Sequence, residues 1–150
     1  MSLITRTEEI HTLLSNQVSG FWEVDLPFRL ALDPLAEIEQ GTSGVFIVPI
    51  VNDYNIDQSN RRVKVVQLLA SPRIAVVIAK PFATKDSTGI DVSTWAEIKK
   101  ILNFREQIDK LIATSITNIS AVDAEPPIET TYDKRWYMSI TEFMFEDVSC

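Results

Sequence analysis

The chain holds one cysteine, at its last position, one histidine and four glycines among 150 residues. Each scarcity removes a class of chemistry. Cys150 alone can form neither an intrachain disulfide nor a cysteine-based metal site, and a reducing, intracellular site of synthesis is the simple inference. His11 alone, inside a helical stretch and without a cysteine near it, reads as a structural or solvated side chain rather than a ligand. No Gly-x-Ser-x-Gly elbow appears, and none of the glycines builds a phosphate-cradling loop. Basic charge is short as well: 14 Lys and Arg against 21 Asp and Glu leave a net charge of −7. That balance argues against a protein that wraps nucleic acid, although an acidic surface can serve passage of DNA by repelling its phosphates. The longest apolar runs stop well before the ~20 residues a membrane helix needs. The opening MSLITRTEEIHTLL has no basic region followed by a continuous apolar segment, so no signal peptide is expected. A soluble protein, not secreted by a cleavable signal and without a membrane partner, is the expectation.

What is present is ordinary globular composition, with 45% hydrophobic and 23% charged residues. The length suits a single domain over 1–150 with a substantial core. The most apolar stretch runs from Arg62 to Phe82 and is cut once, at Ser71-Pro72. Two β-branched runs separated by one turn signal read as paired antiparallel strands at the centre of a sheet. In the first, Val63, Val65, Gln67 and Leu69 alternate with Lys64, Val66 and Leu68, which suits a half-solvated strand. The second is apolar at every position from Ile74 to Ala79, which suits a strand covered on both faces.

The remaining elements follow in order. Leu3, Ile4, Ile10, Leu13, Leu14 and Val18 recur at helical spacing and predict a first helix from about Leu3 to Gln17. Thr5 with Glu8 has capping-box spacing, and Ser2 is an equal alternative cap. Phe21 to Leu32 reads as an edge strand, or one broken at Pro27. Asp33-Pro34 predicts a cap and a short helical turn through Ile38. Val45 to Val51 is a strand in which Pro49 favours an edge or a bulge. Asn52 to Asn60 is polar and turn-rich and predicts a long hairpin tip. Ala83 to Val92 is a second polar loop. Thr94-Trp95-Ala96-Glu97 is the best capping box of the chain and opens the longest helix, whose apolar stripe is Trp95, Ile98, Ile101, Leu102, Phe104, Ile108, Leu111 and Ile112. Ile116 to Val122 is either a strand or an irregular crossing, and Trp136 to Phe145 is a final strand. The fold class is α+β: a mainly antiparallel sheet of about four to five strands flanked by two main helices.

Clustered charge and aromatic residues give few chemical candidates. Asp53 and Asp57, with Glu125, Glu129 and Asp133, are carboxylates without calcium-loop spacing, and solvated surface is the preferred reading. Arg61-Arg62 and Lys99-Lys100 are pairs too small for a nucleic-acid patch; they suit a contact to an acidic partner or a solvated surface. Trp22, Trp95 and Trp136 sit at periodic positions that favour core packing over an interface. No catalytic, metal-binding or cofactor-binding residue is assigned, and no enzyme is expected.

Taken together, several segments carry a resemblance. An opening helix, a strand and short helical turn with Asp33-Pro34, the strand VFIVPIV, a long loop, the valine-rich RVKVVQLLASPRIAVVIAKPF, a helix and the closing TTYDKRWYMSITEFMF resemble tail terminator proteins of tailed bacteriophages. Tyr132-Asp133 ahead of the final strand is the most local match. The likeness covers most of the chain, in element order and texture. It implies a structural virion protein of the tail or neck, made in the host cytoplasm, forming a six-fold ring on the end of the tail tube. Its implied partners are further copies of itself, the tube protein and the head-proximal connector or stopper, with DNA passing through unbound. Related neck and head–tail adaptor proteins share the texture, and a non-viral binding module is a further alternative. Long loops on a rigid sheet commonly carry contacts. The interface candidates are therefore Asp53, Tyr54, Asn55, Ile56, Asp57, Arg61 and Arg62 at the first polar loop, with Lys85 and Asp86 at the second.

Overall fold

A computed structural model describes residues 1–50, 54–57, 64–68, 72–124, 128–131 and 135–148; 54–57, 64–68 and 128–131 are described by backbone pairing alone. Asp53, Arg61, Arg62, Glu125, Tyr132, Asp133 and Cys150 lie outside the described residues. The helices are α1 (Leu3–Ser15), α2 (Pro34–Glu39) and α3 (Trp95–Ser115). The strands are β1 (Phe28–Leu30), β2 (Gly44–Ile50), β3 (Tyr54–Asp57), β4 (Lys64–Leu68), β5 (Arg73–Pro81), β6 (Thr84–Lys85), β7 (Asp91–Val92), β8 (Ile119–Ala124), β9 (Ile128–Thr131) and β10 (Arg135–Phe145). The fold is α+β, with helices against a mixed sheet in the order β1-β2-β5-β10-β8, and β9 also pairing with β10. Among the described pairs of this sheet, only β1–β2 is parallel.

The expected central hairpin is not formed. β5 pairs with β2 on one side and β10 on the other, while β4 pairs with β3 in a separate two-stranded ribbon. Among the described residues β4 and β5 are therefore not paired with each other, although β5 is buried on both faces as its unbroken apolar run demands. Tyr54–Asp57, expected as loop, is a strand. Its register to β4, Tyr54 opposite Leu68, is shifted by one residue from the register with which β2 meets β5 at Ile50 and Arg73. A four-residue alternation of Tyr and Ile with Asn and Asp is a weak period-two signal, and the turn-rich residues around it hide it.

Helices α1 and α3 lie on one face of the sheet. Ile10 and Leu14 of α1 and Ile101, Phe104, Ile108 and Ile112 of α3 pack with Val45, Ile47, Ile74, Val76, Ile78, Tyr137 and Phe143 into the main core. Ser2 caps α1 by accepting from Thr5 N at 3.1 Å, so of the two possible caps Ser2 is the one used. Thr94 caps α3 by accepting from Glu97 N at 3.3 Å. The Glu97 side chain does not close the expected box; its carboxylate accepts from Thr84 and Tyr137 instead. Trp95 begins the helix and is 67% exposed, which corrects its expected place in the core stripe. Trp136 is buried and Trp22 packs edge-on against Phe104.

The opposite face carries Phe46, Val48, Ala75, Val77, Ala79 and Trp136, joined by Ile38 of α2. Asp33 caps α2 by accepting from Ala36 N, with Pro34 at the first helical position as expected. Pro27 ends its segment's irregular part and β1 begins at the next residue, on the sheet's edge. At Gly44 the chain passes so close to that segment that a Cβ would stand 3.0 Å from the Pro27 carbonyl oxygen. Pro49 lies beyond Ile47, the last β2 residue paired with β1, where its missing N–H costs no ladder bond on that side.

Candidate interaction site

At the second polar loop the interface candidates Lys85 and Asp86 are exposed and make hydrogen bonds within the turn. Lys85 Nζ donates to Asp91 Oδ1 at 2.7 Å. Asp86 Oδ1 accepts from Thr88 Oγ1 at 2.6 Å, Thr88 N at 2.8 Å and Ile90 N at 3.0 Å. The Thr88 hydroxyl bond, followed by the Ile90 amide, holds the Asp86 carboxyl below its usual range. Thr84 and the Tyr137 hydroxyl both donate to Glu97, and Tyr137 also reaches Ser93. Burial pushes the Tyr137 hydroxyl up. The β6–β7 ribbon is thus tied to the first turn of α3 and to β10, and Lys85 and Asp86 shape it. The large apolar side chains standing out from this region are Ile90 and Trp95.

Of the first-loop candidates, Asp53, Arg61 and Arg62 lie outside the described residues, and Tyr54, Asn55, Ile56 and Asp57 are placed as backbone of β3. His11, read as structural, meets the Phe28 carbonyl at 3.0 Å through Nε2 and so ties α1 to β1. Lys99 and Lys100 stand on the exposed side of α3.

Two surfaces not anticipated from the sequence lie at opposite edges of the sheet. At the β1 edge, Ile4 of α1, Leu30 and Leu32 line a groove of about 240 Å³ with Thr7, Glu8, Ala31 and Pro49. Leu32 is 84% exposed and Ile4 67%. At the β8 edge a cleft of about 630 Å³ runs between α3 and the strand, with Leu102, Arg105, Asp109, Val122 and Phe143 in its walls. Behind it is a polar seam: Arg105 donates to Ser139 Oγ at 3.0 Å, and Thr141 Oγ1 donates to Asp109 Oδ2 at 3.3 Å. The other Asp109 oxygen has no hydrogen-bond partner. Burial pushes the Asp109 carboxyl up to about 6, against the opposing pull of Arg105 and the Thr141 bond. The exposed leucines carry a faint signal in the sequence: they follow Pro27, the edge marker, and fall outside the helical stripe. The cleft carries none, because its walls come from α3, β8 and β10, which only the fold brings together.

Among the described residues, no group of three or more His, Cys, Asp and Glu side chains could hold a metal ion. None of the described helices is long and apolar enough to cross a membrane. Comparison with known proteins finds no family model that matches the chain and no match among curated proteins.

Proposed function

We propose that this chain is a structural virion protein, a tail terminator that caps the tail tube of a tailed bacteriophage as a six-fold ring. One face of the ring stops tube growth and the other meets the head-proximal connector or stopper, while DNA passes through the lumen without specific binding. The observation that carries the reading is the β1 edge, where Ile4, Leu30 and Leu32 stand open around one groove. Sheet edges are normally blunted with charge or covered, and contiguous aliphatic surface marks a place of association. The resemblance in element order supplies the kind of assembly, and the net charge of −7 suits a lumen that DNA must not stick to.

Negative-stain imaging and light scattering, with and without tail-tube ends, test the proposal. Rings with a central hole, and tubes that stop elongating once capped, are expected. A chain that stays monomeric in both conditions, on tubes that keep growing, overturns it. A species that orders only on a connector moves the protein to an adaptor position in the neck. Shortening the segment from Asn52 to Asn60 is expected to impair capping with the fold intact.

A further inference from the structure

We infer that adjacent copies of this chain join head to tail, the β1 edge of one seated against the β8 edge of the next. This rests on the ring reading and names its interface. The two edges are the open ends of one sheet: among the described residues, no further strand pairs beyond β1 or beyond β8. They are also different from each other, one presenting mainly aliphatic side chains with Glu8 among them and the other a cleft in which Leu102, Val122 and Phe143 stand beside charged residues of α3. Two unlike, complementary patches on one chain make a heterologous interface, which closes into a ring when the rotation per step permits.

The side chains agree with that joining on both faces of the sheet. Phe28 and Leu30 share the face that α1 and α3 cover, as Phe28 packs with the main core and β1 alternates. Val122 lies on the same face, opposite Phe143 in the β10 ladder. When the sheet continues from copy to copy, the helices stay on one side, and Ile4, Leu30 and Leu32 come beside Leu102 and Val122 of the neighbour. On the other face the exposed Arg29 of β1 stands opposite Phe46, and the exposed Asp123 of β8 stands opposite Glu142. The junction thus brings a cation of one copy to a carboxylate of the next. β1 is three residues long and its Phe28 carbonyl is held by His11. Side chains, rather than a long strand ladder, therefore make the contact.

The experiment uses full-length Leu32→Asp and Val122→Asp chains, each checked for an unchanged melting profile, and reads mass by light scattering. Each alone is expected to fall from the assembled mass to that of a single chain, a six-fold loss for a six-fold ring. Mixed one to one, they retain one intact pair of edges and are expected to form a dimer of one copy each, and no ring. Charge reversal gives an independent arm: Arg29→Glu is expected to disperse the ring, and the double variant Arg29→Glu, Asp123→Arg to restore it. If wild type assembles while both edge variants and Arg29→Glu still assemble, the interface is overturned and the ring stands. Wild type that never assembles, on tubes or off them, overturns both.

Discussion

Along β10 the odd-numbered side chains point toward α1 and α3 and the even-numbered ones toward the opposite side, and the two faces are built differently. The helix-covered face mixes Tyr137, Phe143 and Phe145 with the buried hydroxyls of Ser139 and Thr141, which meet Arg105 and Asp109 of α3. The opposite face runs Trp136, Met138 and Ile140 beside Ala75, Val77 and Ala79, and its ion pair, Arg73 with Glu142, is partly exposed. A sheet covered by long helices can enclose polar groups provided partners are supplied, and enclosure raises the stakes of any partner left out. The face with a six-residue helix over it keeps its buried positions apolar.

The largest test of this contrast is Phe104→Ala. Phe104 is fully buried at the middle of α3, with the rings of Trp22 and Phe28 against it at 5.7 and 6.4 Å between centroids. A loss of about 4 kcal/mol is expected from denaturant unfolding. Next is Ile38→Ala, which removes a fully buried side chain by which α2 holds the opposite face. An isolated helix this short does not persist in water, so α2 depends on that contact. A loss of about 2–3 kcal/mol is expected, smaller than for Phe104, and equal losses would erase the distinction between the faces.

The strands and helices behind these two sites differ in how far the amino-acid sequence alone specifies them. β5 is legible because coverage on both sides leaves an unbroken apolar run, and α3 because Thr94 and a stripe through Ile101, Phe104, Ile108 and Ile112 agree. The pairing of β5 is not legible: its partners, β2 and β10, are remote in sequence, and the nearer apolar run beyond Ser71-Pro72 satisfies the local hairpin pattern equally well. Trp95 departs from its expected burial: periodicity places it in the stripe, but it is the first residue of α3, and full burial along the stripe begins only at Ile101. The polar loops stand out by composition. Yet Lys85 and Asp86, both exposed, hold the β6–β7 turn through hydrogen bonds within it, and the exposed surfaces at the two edges come from leucines and a valine that look like core.

The third test separates the faces by pH. Asp109 has a carboxyl pushed from 3.8 to about 6 by burial. Between these values the folded chain keeps a proton that the unfolded chain has released, so this group's contribution to stability is full below about 4 and lost as pH rises through about 6. At pH 7 the charged side chain, 24% exposed and with one oxygen unpartnered, costs on the order of 2 kcal/mol. Asp109→Asn keeps an acceptor for Thr141 and is expected to gain about 1–2 kcal/mol at pH 7, less what Arg105 loses in its partner. It should also flatten the stability profile between pH 4 and 6. A profile unchanged by the substitution would mean that another group titrates there.

The smallest effect is expected at the ion pair of the opposite face. Arg73 Nη1 meets Glu142 Oε2 at 2.9 Å across the β5–β10 ladder, with 36% and 25% of the two side chains exposed. Water reaches both ends, so their attraction is screened and offset by the ordering of two long side chains. A double-mutant cycle through Arg73→Ala and Glu142→Ala is expected to give a coupling below about 1 kcal/mol, weakening further in added salt. A coupling of about 3 kcal/mol or more would mean that the pair is enclosed as Asp109 is. The two faces would then differ only in which helix covers them, and the contrast in how they treat charge would be gone.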